Sequence, residues 1–267
     1  NSPMIIGAID LGTNTFDLLL AQVTDGNLKI LYREKQWVGL GTGLYPSMEL
    51  QQDALHRATQ CLIHFNGIAK EYQANVLRAC GTSALRDAIN GRLWCAEIHE
   101  KTGISIEVIS GIQEAKRVFS GIKNLSNIPS DGIIMDIGGG STELIVFREL
   151  QLDHVFSLDI GVTRLLNALD FNNPLTEEEI LRFEMLLSEE SKQLLPTTDT
   201  LIGAAGAFET FFWLIYKESI PDGICVSFDR LKLVQLLDEL IGTSYQQRLA
   251  LNGVPDVRRK YLHLAAL

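Results

Sequence analysis

With 267 residues, 46% of them hydrophobic, the chain exceeds the usual single-domain size and can bury more than one core, so two domains are expected. Cys61, Cys80, Cys95 and Cys225 form no C-x-x-C pair, which argues against a disulfide framework or a zinc site, and no apolar run approaches the roughly 20 residues of a membrane span, so a soluble, cytoplasmic protein is expected. Residues 1–125 hold 12 Lys/Arg and 12 Asp/Glu while residues 126–267 hold 11 and 21, so the whole net charge of −10 lies in the second half, against a broad nucleic-acid surface.

Asn1, Ser2 and Pro3, ahead of Met4, read as an expression remnant. Ile5–Ile9 is apolar, Asp10–Thr15 a polar glycine turn and Leu18–Val23 apolar again, which predicts strand, tight turn, strand. Leu50, Ala54, Ala58, Cys61, Leu62 and Phe65 recur at helical spacing between Met48 and Tyr72, and a short strand follows at Val76–Cys80. A helix over Arg92–Thr102, a strand over Ile104–Ile109 and a helix over Ile112–Leu125 come next. The turn-forming stretch Asn124–Gly132 sets the expected boundary between an N-terminal domain, 4–125, and a C-terminal domain, 126–267. Beyond it, strands at Ile133–Asp136 and Leu144–Phe147 flank a second glycine turn. A strand (Asp153–Leu158), a helix announced by Thr176 ahead of Glu177, Glu178 and Glu179, a strand (Thr200–Ala204) and a helix (Phe208–Lys217) complete an α/β fold with mixed sheets.

Laying Asp10 on Asp136 brings D-L-G-T-N-T-F-D-L-L-L over D-I-G-G-G-S-T-E-L-I-V, so Gly12 meets Gly138, Asp17 meets Glu143 and Leu18 meets Leu144. The repeated turn suggests internal duplication. Glycines beside Ser and Thr between strands let main-chain N–H groups converge on an anion, which makes a phosphate cradle. One such turn is equally an ordinary hairpin; two argue for the cradle. Asp10, Asp136 and Glu143 sit at these turns, where carboxylates would repel phosphate unless a divalent cation bridged them, so Mg²⁺ or a similar ion is implied. Turn capping is the alternative for each acid, and Asp17 and Glu143 could simply face solvent.

The motifs D-L-G-T-N-T, G-T-S-A-L-R (Gly81–Arg86), S-G-I-Q-E-A (Ser110–Ala115) and D-I-G-G-G-S-T-E, in this order, resemble the exopolyphosphatase and guanosine pentaphosphate phosphohydrolase family from Ile6 to about Asp256. That resemblance implies a duplicated actin-like (ribonuclease H-like) fold with an interdomain cleft, and Mg²⁺-dependent release of a terminal phosphate from polyphosphate or a guanosine polyphosphate. It implies Glu114 as the catalytic glutamate; on the residues alone, a solvated first-turn helix acid would be preferred. It further implies Asp10, Asp136 and Glu143 as metal residues. Gly12, Thr13, Asn14, Thr82, Ser83, Arg86, Gly138, Gly139, Gly140, Ser141 and Thr142 are then the substrate-binding set, with Ser common in family members at the place of Thr13.

Arg86 and Arg164 each follow a glycine and small polar residues and could grip phosphate; for Arg164 a surface ion pair fits equally. His56, His64, His99, His154 and His263 lack ligand spacing and are expected on surfaces. Gly203–Gly206, G-A-A-G, stands where the superfamily carries a glycine motif against a nucleoside, but with alanines where hydroxyls are usual. Longer family members carry a further helical C-terminal domain, and the apolar ending L-H-L-A-A-L calls for cover by a domain or by a second subunit in a homodimer. A superfamily kinase, a mechanical ATPase and a non-catalytic sensor of polyphosphate or guanosine alarmones share the loops and stay open at this stage.

Overall fold

The computed structural model describes residues 3–168, 174–190 and 197–267; Asn1 and Ser2 lie outside them. The chain divides into two compact units, 1–110 and 111–267. The first contains β1 (Met4–Leu11), β2 (Thr15–Thr24), β3 (Asn27–Trp37), α1 (Gln52–Glu71), β4 (Val76–Gly81), α2 (Ser83–Asp87), α3 (Gly91–Thr102) and β5 (Ile106–Val108). Its sheet runs β3-β2-β1-β4-β5, with β1 antiparallel to β2 and parallel to β4. Alternation in β1 and β2 turns Ile9, Leu11, Phe16, Leu18 and Leu20 onto one face, where they meet Ala58, Cys61, Leu62 and Phe65 of α1 in one core. The other face bears Ala8 and Asp10, both exposed.

The second unit contains α4 (Gly111–Ile122), β6 (Gly132–Ile137), β7 (Thr142–Arg148), β8 (Gln151–Leu158), α5 (Val162–Ala168), α6 (Glu177–Glu190), β9 (Leu201–Ala204), α7 (Ala205–Tyr216), α8 (Arg230–Ile241), α9 (Tyr245–Leu249), α10 (Asp256–Arg259) and α11 (Leu262–Ala266). Its sheet runs β8-β7-β6-β9, the order and directions of β3-β2-β1-β4, so the duplication read from the two turns extends to whole sheets. Thr142–Phe147 are buried on both faces: Leu144 and Val146 pack with Leu158, Leu165, Phe183 and Leu264, and Ile145 and Phe147 pack with Ala115 and Phe119 of α4.

That packing explains where the units divide. The sequence boundary at 125/126 assigns α4 to the first domain, whereas the apolar stripe of α4 lies on the second sheet, with the Phe119 and Phe147 rings 5.7 Å apart, and the division falls at 110/111. Ser126, inside the expected linker, pairs with Gly223 and Cys225 of the second unit through main-chain bonds of 2.8 Å each. The ending L-H-L-A-A-L is covered by its own chain: Leu262, Leu264 and Ala266 are buried in cores that include residues of α5 and α8. Thr176 forms the expected cap, exchanging bonds with Glu179. All four cysteines are free, and burial pushes the Cys61 thiol up to about 12 and Cys95 to about 11.

Candidate active site

In the second unit β6 turns into β7 through residues 138–141. The Gly138 N–H donates to the Ser141 carbonyl at 3.0 Å, and a Cβ on Gly138 would stand 2.9 Å from that oxygen, so the turn needs glycine there. Three successive carbonyls are taken from one side. Val162 N–H donates to Gly138 O (3.1 Å), Thr163 and Arg164 N–H to Gly139 O (2.8 and 3.1 Å), and Arg164 Nε to Gly140 O (2.7 Å). In a trans peptide the N–H points opposite the carbonyl it follows, so those of Gly139, Gly140 and Ser141 aim away from α5. Those of Gly139 and Gly140 donate to no protein acceptor among the described residues. The result is a nest of donors suited to an anion.

Beside the nest, Asp136 and Glu143 stand directly opposite each other on β6 and β7. Glu143 is 1% exposed, so it does not face solvent, and its Oε1 accepts from the Ser157 hydroxyl of β8 at 2.8 Å. Burial, and then the neighbouring Glu143, push Asp136 up to about 6. Among the described residues no group of three or more His, Cys, Asp or Glu side chains has metal-ligand spacing. The carboxylate pair nonetheless fits Mg²⁺, which is commonly held by one or two carboxylates with water and phosphate oxygens completing its shell.

Residues two apart on a strand share a face, so Asp136 lies with Ile134, and Glu143 with Ile145 and Phe147. Since α4 packs on Ile134, Ile145 and Phe147, it crosses the same face as the two acids. Its first turn carries Glu114, partly buried, and approaches the acids so closely that a Cβ on Gly111 would stand 3.5 Å from Glu143 Oε1. Glu114, Asp136, Glu143 and Gly138–Ser141 thus belong to one unit. The Thr142 hydroxyl donates to Ile160 O and braces the strand, its proton committed inside the protein.

The first unit repeats the turn. Gly12 N–H donates to Thr15 O at 3.0 Å, and a Cβ on Gly12 would stand 2.9 Å from that oxygen. Thr13 O accepts from Gly41 N–H (2.8 Å) and Asn14 O from Val38 and Gly39 N–H (2.9 and 2.8 Å). Arg57 Nε fixes this brace by donating to Val38 O at 2.8 Å. Sequence reasoning missed the brace, although the alternate glycines Gly39, Gly41 and Gly43 were a visible signal. Asp10 is exposed and opposite Asp17, whose Oδ1 lies 3.7 Å from Lys35 Nζ. Thr82, buried, donates its N–H to Leu11 O (3.2 Å), which ties G-T-S-A-L-R to the same turn. The buried Ser83 hydroxyl donates to Asp87 (3.2 Å), and Arg86 Nη1 to Ile109 O (2.9 Å).

Arg164 makes an ion pair with Asp159 at 3.4 Å, and its Nε, in a role neither sequence reading gave it, holds the Gly138–Ser141 loop from behind. The G-A-A-G segment is covered by its own unit. A Cβ on Gly203 would meet the Phe208 ring at 2.0 Å and one on Gly206 the Arg258 guanidinium at 2.3 Å, and Arg258 Nη1 donates to Gly206 O at 2.9 Å. Ala205 holds φ at +66°, a costly value for a residue with a Cβ. His263, expected at a surface, is 1% exposed, and burial together with the nearby Arg248 pushes it down to about 4.

The model of the Ppx/GppA phosphatase family matches residues 19–267. The chain belongs to that family. An exopolyphosphatase from Cytophaga hutchinsonii is 29% identical, with a TM-score of 0.88 over 98% of this chain and 88% of that one. The Aquifex aeolicus Ppx/GppA enzyme is 26% identical, with a TM-score of 0.82 over 99% of this chain and 90% of that one. An exopolyphosphatase-like protein is 25% identical, with a TM-score of 0.87 over 100% of this chain and 86% of that one. Membership of this phosphatase family makes hydrolysis of phosphate compounds the activity class, and among the described residues no helix is long and apolar enough to cross a membrane.

Proposed function

We propose that this family member is an exopolyphosphatase that releases the terminal phosphate of inorganic polyphosphate. The observation that carries the reading is the Glu114–Glu143–Asp136 group beside donors of Gly139 and Gly140 that no protein acceptor takes among the described residues. In it the terminal phosphoryl is bound by the main-chain N–H groups of Gly139, Gly140 and Ser141. Thr142 braces that segment. Glu114 orients a water and takes its proton as the phosphorus–oxygen bond to the leaving phosphate breaks. Asp136 and Glu143 would hold Mg²⁺. When bound, that cation supplies charge neutralisation on the phosphoryl oxygens. Phosphoryl transfer to water asks mainly for positioning and charge, which the nest and the acids can supply.

Preference for polyphosphate over guanosine pentaphosphate rests on Gly203–Gly206. Two alanines replace hydroxyls, and Phe208 and Arg258 fill the space beside both glycines, leaving a nucleoside fewer partners there. A lost hydrogen bond is worth about 0.5–1.5 kcal/mol, which predicts a severalfold preference. Released phosphate, measured in parallel on short polyphosphate, long polyphosphate, guanosine pentaphosphate and ATP with and without Mg²⁺, tests it. Higher kcat/KM on the guanosine nucleotide would assign the alternative activity, and binding without turnover would make the chain a sensor.

A further inference from the structure

Ser157 lies outside every motif that marks the site, on the strand beyond Glu143. It stands directly opposite Glu143 in the β7–β8 pair, and its hydroxyl donates to Glu143 Oε1 at 2.8 Å. The same side chain touches the start of α4: a Cβ on Gly111 would stand 1.9 Å from Ser157 Oγ and 2.5 Å from Ser157 Cβ, far inside any real contact. Gly111 therefore has no room for a side chain because Ser157 occupies that space. At the equivalent place in the first sheet the residue opposite Asp17 is Lys35, a cation.

We infer that Ser157 is a positioning residue: its hydroxyl orients the Glu143 carboxylate, and its side chain is the seat that fixes the first turn of α4, and with it Glu114, over the two acids. The inference rests on the proposed roles of Glu143 and Glu114. A hydroxyl suits the first task because it donates one hydrogen bond without adding charge, so it aligns Glu143 and leaves its negative charge to attract a cation. A small side chain suits the second, because the main chain of Gly111 reaches β8 only if the contact residue is short. One residue thereby couples metal affinity to the placement of the water-activating glutamate.

Mn²⁺ titration of the metal-free protein, followed by electron paramagnetic resonance, reads the first task without any need for turnover. Ser157→Ala should weaken Mn²⁺ binding by about 10-fold, the scale of a hydrogen bond to a charged group, with a smaller loss of kcat at saturating metal. Thermal melts of the metal-free variant should show it folded, with the stabilisation by Mn²⁺ reduced. A double-mutant cycle reads the second task. Gly111→Ala should lower turnover at least about 10-fold when Ser157 is present and much less in a Ser157→Gly background, where the clash is gone. If Ser157→Ala binds Mn²⁺ within twofold of the parent, or the Gly111→Ala and Ser157→Gly effects simply multiply, the inference is overturned. A parent that binds Mn²⁺ in a Ser157-dependent way but hydrolyses no polyphosphate would sink the proposed substrate and leave the metal half of the inference standing.

Discussion

Across the first sheet, Lys35, Asp17 and Asp10 form one cross-strand row; across the second, Ser157, Glu143 and Asp136 occupy the same places. In the first row the inner acid meets an ammonium 3.7 Å away, and in the second it meets a hydroxyl 2.8 Å away. Formal charges leave −1 on the first row and −2 on the second. The second row lies under α4 of its own unit, where Glu143 is buried, whereas Asp10 of the first row is exposed. The turns beside the rows are the same to within the 3.0 and 2.9 Å distances that define them, yet a main-chain loop, 38–41, braces one and the first turn of α5 braces the other. Duplicated backbone therefore carried the same glycine turn into both halves, while two side-chain differences, Ser157 for Lys35 and Glu143 for Asp17, set the rows apart.

The largest test of this asymmetry concerns Glu114, on the first turn of the helix that crosses the second row. Glu114→Gln keeps shape and removes basicity, and turnover should fall at least about 10²-fold while polyphosphate still binds. A loss of twofold or less would remove Glu114 from the mechanism.

Next in size is the metal requirement. Asp136→Asn and Glu143→Gln should each raise the Mg²⁺ concentration for half-activity by about 10-fold or more, because amides replace carboxylates poorly as ligands of hard cations. Asp17→Asn, whose charge Lys35 already offsets, should change it by about twofold or less. Equal effects in the two rows would erase the distinction drawn between them. Exhaustive chelation should stop hydrolysis, and Mg²⁺ should restore it.

The smallest effect is on stability against pH in the metal-free protein. Asp136 is raised from 3.8 to about 6, so the folded state binds its proton more tightly than the unfolded chain, and that contribution is present below about 4 and lost as pH rises through 6. His263 is lowered from 6.5 to about 4, so its contribution is present above 6.5 and lost as pH falls toward 4. The two slopes oppose each other in one window. Melting temperatures of Asp136→Asn should therefore drop more steeply than the parent's between pH 6.5 and 4, and those of His263→Gln should rise over the same interval. Parallel profiles in all three proteins would show that neither group is perturbed as the packing implies.

Much of this arrangement was legible in the sequence because it is written at the spacing of backbone geometry. Strand alternation, helical spacing and the acid-x-Gly turn repeated at Asp10 and Asp136 are local, and local rules fixed the strands β1, β2, β6 and β7, the helix α1, the duplication and the two acid pairs. The strand β3 escaped notice because its sequence, N-L-K-I-L-Y-R-E-K-Q-W, is that of a charged sheet edge with little alternation. The destination of α4 could not be read, since an apolar stripe states that a helix must pack but not on which sheet; Phe119 against Phe147 decided it. Likewise Lys35 and Ser157 lie 18 and 14 residues from the acids they meet, and only strand pairing brings them together. Sequence determined which acids and glycines stand at the two turns. Tertiary structure decided which of two similar acid pairs meets an ammonium and which meets a hydroxyl and has a helix laid across it, because such contacts are made by neighbours that the chain supplies from a distance.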